Sequence, residues 1–99
     1  GRGVYFAGRA AYCNETFAFA AGGTPCRKQL IFARVLVGRP QQFGMVTDDR
    51  LTKPAQGYHS VVGGPHKFSD DGEESSMWVV YDNAQVYPQY IVEYVEAGE

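Results

Sequence analysis

The chain has 99 residues, which is enough for one domain at most. Nine Lys and Arg against eleven Asp and Glu give a net charge of -2, whereas nucleic-acid-binding domains usually carry a basic excess. Hydrophobic residues make up 44% and charged residues 20%, which is typical of a folded chain and not of a disordered one. We therefore expect a globular domain that does not bind nucleic acid directly.

No segment of the sequence is suited to crossing a membrane. The longest apolar stretch, residues 30–37, is interrupted by Arg34 and is far short of the roughly 20 residues that a spanning helix needs. Cys13 and Cys26 do not make a disulfide framework, so an intracellular, reducing location is expected. The chain opens on Gly1-Arg2-Gly3 directly before an apolar run, and we expect it to start partway into a larger domain.

The first part of the chain predicts two strands and a helix. Residues 3–7 are rich in β-forming side chains and predict a strand, while residues 10–20 lack Pro and Gly and predict a helix. Residues 30–37 predict the strongest strand, and both of its faces are mostly apolar, as in a central strand covered on both sides. Arg34 interrupts this pattern and needs a carboxylate partner or a route to solvent.

The second part of the chain is less regular. Residues 38–76 have no sustained period and predict a long loop, with a short strand possible at residues 59–62. Residues 77–81 and residues 90–95 predict two more strands, and Met77 shares one face of the first with every second residue after it. Strands outnumber the one helix, which favours a mixed, mainly β architecture without βαβ winding.

Simple motif readings exclude several kinds of site. The two Cys and two His lack the paired close spacing of zinc ligands, so no metal is expected. His59 and Ser60 are adjacent in a β-run and point to opposite faces, which excludes a serine-hydrolase pair. Gly1-Arg2-Gly3 is no phosphate loop, because neither a Lys-Ser/Thr nor a third Gly follows at the required place.

Four short blocks, taken in order, carry a family resemblance. They are Gly1-Arg2-Gly3-Val4-Tyr5-Phe6-Ala7, Phe32-Ala33-Arg34-Val35-Leu36-Val37-Gly38, Gly57-Tyr58-His59-Ser60-Val61 and Val79-Val80-Tyr81-Asp82-Asn83-Ala84-Gln85-Val86-Tyr87-Pro88-Gln89-Tyr90. Together they resemble the C-terminal part of the catalytic domain of poly(ADP-ribose) polymerases. The third block and the Gln-x-Tyr-Pro-x-Tyr ending are similar to tankyrases, and the second block is similar to mono-ADP-ribosylating members.

The resemblance implies that residues 1–99 are the C-terminal portion of a single ADP-ribosyltransferase domain. That fold is α+β and mainly antiparallel sheet, here truncated at its N-terminus and with one short helix. The implied enzyme moves ADP-ribose from NAD, its cosubstrate, to a protein acceptor in the nucleus or cytoplasm, and it releases nicotinamide without a metal. The family's catalytic His belongs to a His-Gly motif on an earlier strand, which would precede Gly1.

The resemblance also implies a set of nicotinamide-binding residues. Tyr5 matches the family's catalytic Tyr, whose ring and hydroxyl hold the nicotinamide riboside. Ala7 would line the floor beneath nicotinamide, and Cys13 stands where the family has a Ser that bonds the carboxamide, although a thiol is a weaker donor. Phe17 is the candidate for the ring that stacks on nicotinamide, with Phe19 as the alternative.

Met77 occupies the position of the family's catalytic Glu, counting back without gaps from Val79. Cleavage of the nicotinamide–ribose bond builds positive charge on the ribose, which a carboxylate stabilises and a thioether cannot. Loss of one such group removes roughly 3 kcal/mol of barrier stabilisation, or about 10²–10³ in rate. Glu73 or Glu74 would replace it only after a register slip, which would turn Val79 and Tyr81 to the wrong face.

Three functional hypotheses remain open at this point. The first is an enzyme that transfers a single ADP-ribose unit, assisted by the carboxylate of its acceptor. The second is a catalytically inactive module of the same family that acts through protein contacts. The third is a β-rich interaction domain with an accidental match, in which Tyr5 and Met77 would lie far apart.

Overall fold

The computed structural model describes residues 1–16, 18–23, 26–68 and 72–95, and these are mostly β-strand. In chain order the elements are β1 (Val4–Ala7), α1 (Ala10–Thr16), β2 (Phe19–Gly22), β3 (Arg27–Val35), β4 (Pro40–Gly44), β5 (Ser60–Lys67), β6 (Glu74–Val80), a 3-10 turn (Asn83–Gln85) and β7 (Val86–Tyr94). The described part of the chain is therefore a small, β-rich α+β fold, in agreement with the predicted class.

The strands form two separate sheets. A four-stranded sheet has the order β1-β6-β5-β4, and a three-stranded sheet has the order β2-β3-β7. All neighbouring strands are antiparallel except β4 and β5, which are parallel. The strands predicted at residues 3–7, 30–37, 77–81 and 90–95 are present as β1, β3, β6 and β7.

Burial is concentrated in the middle of the four-stranded sheet. The buried apolar side chains of the described residues are Val61, Val62, Met77, Val79 and Val80. All of them lie on β5 and β6, the two central strands of the four-stranded sheet. On each strand both odd- and even-numbered residues are buried, and successive residues point to opposite faces, so both faces of this strand pair are covered.

The three-stranded sheet, by contrast, exposes apolar side chains on both faces. Ile31 and Ile91 lie directly opposite each other and are 66% and 72% exposed. Phe32 and Tyr90 are paired one residue further along, with ring centroids 6.1 Å apart, and are also exposed. The prediction that β3 is central is correct, but the prediction that it is covered on both sides is wrong. Arg34 is exposed, so its charge reaches solvent.

Helix α1 joins the two sheets at one end. The Tyr12 ring meets Phe68, at the end of β5, edge-on with centroids 5.5 Å apart. On the same helix, the Asn14 side-chain oxygen accepts hydrogen bonds from Lys28 Nζ at 3.4 Å and from the Tyr94 hydroxyl. Lys28 and Tyr94 belong to β3 and β7, so one short helix contacts both sheets.

Gln85 joins the sheets at a second place. Its side-chain amide donates to the carbonyl oxygens of Leu36 at 2.8 Å and His59 at 2.9 Å. Ser60, at the start of β5, donates from its hydroxyl to the Val37 carbonyl at 2.7 Å. These bonds tie the end of β3, the start of β5 and the 3-10 turn together, so the sheets are connected by polar contacts more than by a shared core.

The helix predicted over residues 10–20 ends earlier than expected. Helix α1 stops at Thr16, and Phe19–Gly22 forms strand β2. Phe19 pairs with Gln29 in β3, and this ladder outweighs the helix preference of the Ala-rich segment. The sequence prediction was therefore wrong for the last part of this segment.

The long loop predicted over residues 38–76 was also wrong in large part. It contains β4, all of β5 and the first residues of β6, and the short strand considered at residues 59–62 is the start of β5. Strand β5 extends through Gly63, Gly64 and Pro65, which read as turn residues in the sequence, and its ladder with β6 is irregular there. Neighbouring strands hold these segments in the sheet despite their low β-propensity.

We expect Val80→Ala to lower the free energy of unfolding by about 2 kcal/mol, because Val80 is 1% exposed and the substitution leaves a cavity. Val92→Ala on β7 is the matched control, since Val92 is 45% exposed and should cost no more than about 1 kcal/mol. Urea denaturation of both variants measures the difference. Equal losses would contradict the location of the core.

Candidate functional site

The register of β1 against β6 decides which side chains meet on the four-stranded sheet. Tyr5 lies opposite Val79, and Ala7 lies opposite Met77. Directly opposed residues share a face, and so do alternate residues along a strand. Tyr5, Ala7 and Met77 therefore lie on one face. Tyr5 and Met77 are diagonal neighbours, a relation in which side chains are typically about 7–8 Å apart.

Cys13 joins this group from helix α1. The Ala7 backbone lies close enough to the Cys13 thiol to lower its pKa, so helix α1 lies against the end of β1. Burial raises the pKa of the Cys13 thiol, and hydrogen bonds to the backbone at Ala7 and Cys13 lower it only in part. We call Tyr5, Ala7, Cys13 and Met77 the β1–β6 site.

Met77 is buried at the centre of the β1–β6 site and has small residues on both sides. Ala7 lies opposite it on β1, and Gly63 lies opposite it on β5. A Cβ atom on Gly63 would be 3.6 Å from the Gly44 carbonyl oxygen, which is an ordinary contact, so packing does not require glycine there. Glycine within a strand often marks a bulge or a close approach, and the ladders on both sides of Gly63 are irregular there. The face beside the thioether therefore has little side-chain bulk from its neighbours.

Tyr5 is the most accessible member of the site. Its side chain is 47% exposed, and its hydroxyl donates a hydrogen bond of 2.6 Å to the Gly1 carbonyl oxygen. The phenol oxygen also accepts a hydrogen bond of 2.6 Å from the Gly1 amino group, which leaves one lone pair for a ligand. Tyr5 therefore offers both an open aromatic face and a hydroxyl acceptor to a ligand.

Neither neighbouring glutamate takes the place of Met77. The Glu73 carboxylate lies 3.8 Å from the Arg9 guanidinium, and Glu74 lies opposite Lys67 in the β5–β6 ladder. The β1–β6 ladder runs without a break up to Met77, so the register slip considered from the sequence does not occur. The site has a thioether where the resemblance implies a carboxylate.

The aromatic stacking candidates are not brought to the site. Phe17 lies outside the described residues. Phe19, the alternative, begins β2 in the three-stranded sheet and is 65% exposed. Of the predicted site residues, the structure brings together Tyr5, Ala7, Cys13 and Met77.

Two open clefts lie on either side of the loop that contains Lys53, and the sequence did not predict them. They have volumes of about 520 and 550 Å³, and the first is lined by Tyr58, His59, Tyr81 and Asp82 among others. His59 Nδ1 accepts a hydrogen bond of 2.9 Å from the Arg39 backbone N–H. In a neutral imidazole with this bond, the proton is on Nε2. None of the four β1–β6 site residues lines either cleft.

No protein-family model matches the chain. Within residues 1–16, 18–23, 26–68 and 72–95, no group of three or more His, Cys, Asp and Glu side chains could hold a metal ion. The helices in that part of the chain are too short or too polar to cross a membrane.

We expect the Cys13 thiol to react slowly with iodoacetamide at pH 7, because its raised pKa keeps it protonated and the thiolate is the nucleophile. The Cys26→Ser variant isolates Cys13, since these are the two cysteines of the chain. Alkylation followed by mass spectrometry, compared with a free cysteine peptide, measures the rate between pH 7 and pH 10. A Cys13 rate at pH 7 equal to or above that of the peptide would contradict the buried, protonated thiol.

Proposed function

We propose that this protein is an NAD-dependent ADP-ribosyltransferase that transfers one ADP-ribose unit to a protein acceptor and releases nicotinamide. The observation that carries the proposal is the shared face of Tyr5 and Met77 on adjacent antiparallel strands. The residues that resemble the family's catalytic pair are 72 positions apart in sequence, so an accidental match would not require them to meet. The mainly antiparallel α+β architecture is compatible with an ADP-ribosyltransferase fold.

Tyr5 has the properties needed to hold the nicotinamide riboside. The oxidised nicotinamide ring is cationic, and an aromatic face next to a cation contributes about 0.5–2 kcal/mol. The half-exposed Tyr5 ring supplies that face, and its hydroxyl can accept a hydrogen bond from a ribose hydroxyl. In this proposal Tyr5 binds and orients the cosubstrate.

Ala7 and Cys13 form the floor beside that ring. The small Ala7 side chain allows close approach of a flat ring, and the Cys13 thiol lies near the Ala7 backbone. A protonated thiol is a weak hydrogen-bond donor to a carboxamide oxygen. We therefore propose that these residues shape the nicotinamide pocket more than they strengthen binding.

Met77 limits the chemistry that the protein can perform. The C–N bond between nicotinamide and ribose breaks, and its electron pair leaves with nicotinamide. An oxygen of the acceptor supplies the electron pair for the new bond to the ribose carbon. The thioether of Met77 provides no charge to stabilise the oxocarbenium-like transition state, so an acceptor carboxylate would supply it. A hydroxyl at the end of an attached ADP-ribose cannot do so, which favours transfer of one unit.

The second candidate function is a catalytically inactive module of the same family. It is favoured by the uncharged, buried side chain of Met77. Isothermal titration calorimetry with NAD separates the two candidates. An enzyme requires measurable binding, whereas no heat and no shift in melting temperature would support the inactive module.

We expect Met77→Glu to increase the rate of ADP-ribose transfer by about 10²–10³ and to permit short chains, because the carboxylate stabilises charge on the ribose. Transfer of labelled ADP-ribose by the full-length protein, resolved on a gel, measures both effects. Met77→Gln is the neutral control of the same shape, and Met45→Glu adds the same charge at a side chain that is 69% exposed.

Thermal unfolding of each variant verifies that it is folded. Equal rates and equal products from wild type, Met77→Glu and Met77→Gln would remove the case that Met77 limits the reaction. Chains made by the wild-type protein itself would contradict transfer of a single unit.

A further inference from the structure

The spacing Gly1-x-Gly3, which matched no phosphate-binding motif, has a structural explanation in the ring of Tyr81. A Cβ atom on Gly3 would lie 2.8 Å from Tyr81 Cδ1, and a Cβ atom on Gly1 would lie 2.5 Å from the Tyr81 hydroxyl. Gly3 is not among the glycines with a positive φ, so close approach and not backbone conformation requires glycine there. The ring of Tyr81 therefore lies along the backbone from Gly3 to Gly1.

Tyr81 belongs to the same face as the β1–β6 site. It follows Val79 by two residues, and Val79 lies opposite Tyr5. Its hydroxyl is buried and has no hydrogen-bond partner among the described residues. Burial, and after it the neighbouring Tyr5 phenol, raises the pKa of Tyr81, so the ring stays neutral beside the site. A buried polar group without a partner calls for a functional or structural reason.

The backbone of Gly1 is also close to Leu51. The Arg2 backbone N–H donates to the Leu51 carbonyl oxygen at 2.7 Å, and a Cβ atom on Gly1 would be 3.0 Å from Leu51 Cβ. Leu51 and the Tyr81 hydroxyl therefore both pack closely against Gly1. Its carbonyl oxygen is the acceptor for the Tyr5 hydroxyl at 2.6 Å. Contact thus runs from the Tyr81 ring through the Gly1 backbone to the Tyr5 hydroxyl.

We propose that Tyr81 is a positioning residue for Tyr5. Its ring, seated on Gly1 and Gly3, holds the Gly1 carbonyl where it orients the Tyr5 hydroxyl on the ligand-facing side of the sheet. The positioning itself is independent of any ligand, but its use in NAD binding rests on the function proposed above. The ring provides the support, so a Phe at position 81 would serve as well as Tyr.

The test is NMR of the protein labelled with ¹³Cζ-tyrosine, with Tyr5→Phe used to assign the Tyr5 signal. In Tyr81→Leu we expect the Tyr5 Cζ signal to move, because its hydroxyl loses an oriented acceptor, and NAD to bind about tenfold more weakly. In Tyr81→Phe the signal stays and NAD affinity remains within about twofold. Tyr90→Leu, an exposed tyrosine of the other sheet, is the matched control.

Gly1→Ala provides a second variant, because its Cβ atom would collide with the Tyr81 hydroxyl and the Leu51 carbonyl, while Gly8→Ala meets nothing within 4 Å. Movement of the Tyr5 signal in Gly1→Ala but not in Gly8→Ala supports the proposal even where Tyr81→Leu does not fold. An unmoved Tyr5 signal in a folded Tyr81→Leu or Gly1→Ala protein overturns it. A moved signal in a protein that binds no NAD supports the positioning and counts against the proposed function alone.

Discussion

The pairing of β1 with β6 in one particular register is the constraint on which the candidate site depends. Side chains alternate between the two faces of a sheet, so a shift of one residue would move Tyr5 and Ala7 away from Met77. The ladder runs unbroken from Val4 opposite Val80 to Ala7 opposite Met77. Gly3 strengthens this register, because a side chain there would collide with the Val80 carbonyl oxygen. The same glycine that fits the strand against β6 also makes room for Tyr81.

The stability of the fold and the openness of its surface follow from where the apolar side chains lie. The four-stranded sheet buries the middle of β5 and β6, and β1 is supported by that pair. The three-stranded sheet has apolar residues on both faces but little of them covered, and α1 and Gln85 attach it mainly through polar contacts. Such contacts contribute modest net free energy each, so the second sheet adds less stability than its apolar content suggests.

The parts of the fold that could be predicted are the strands whose own residues favour β-structure. Residues 77–81 are a run of β-forming side chains, so the common face of Met77, Val79 and Tyr81 follows from β geometry alone. Strand β4 and the second half of β5 could not be predicted, because Pro40, Gly63 and Pro65 are held in place by neighbouring strands and not by local preference.

For the candidate site, the residues could be named from the sequence, but their contacts could not be predicted from it. The membership of Tyr5 and Met77 came from a family resemblance, while their adjacency required the β1–β6 register, which no local pattern specifies. Cys13 was also named from the family resemblance, but its proximity to the Ala7 backbone depends on the turn between β1 and α1. The role of Tyr81 could not be inferred, because no pattern in the sequence indicates that its ring packs against Gly1 and Gly3, which are far away along the chain.

The most direct measurement uses the two methionines as internal probes, since the chain contains no others. In protein labelled with ¹³C at the methionine methyl groups, we expect NAD to shift the Met77 signal and to give a nuclear Overhauser effect between that methyl group and the nicotinamide ring protons. The Met45 signal, from a side chain that is 69% exposed beyond β4, should not move. An unchanged Met77 signal at NAD concentrations up to several millimolar would contradict a nicotinamide site over Tyr5 and Met77.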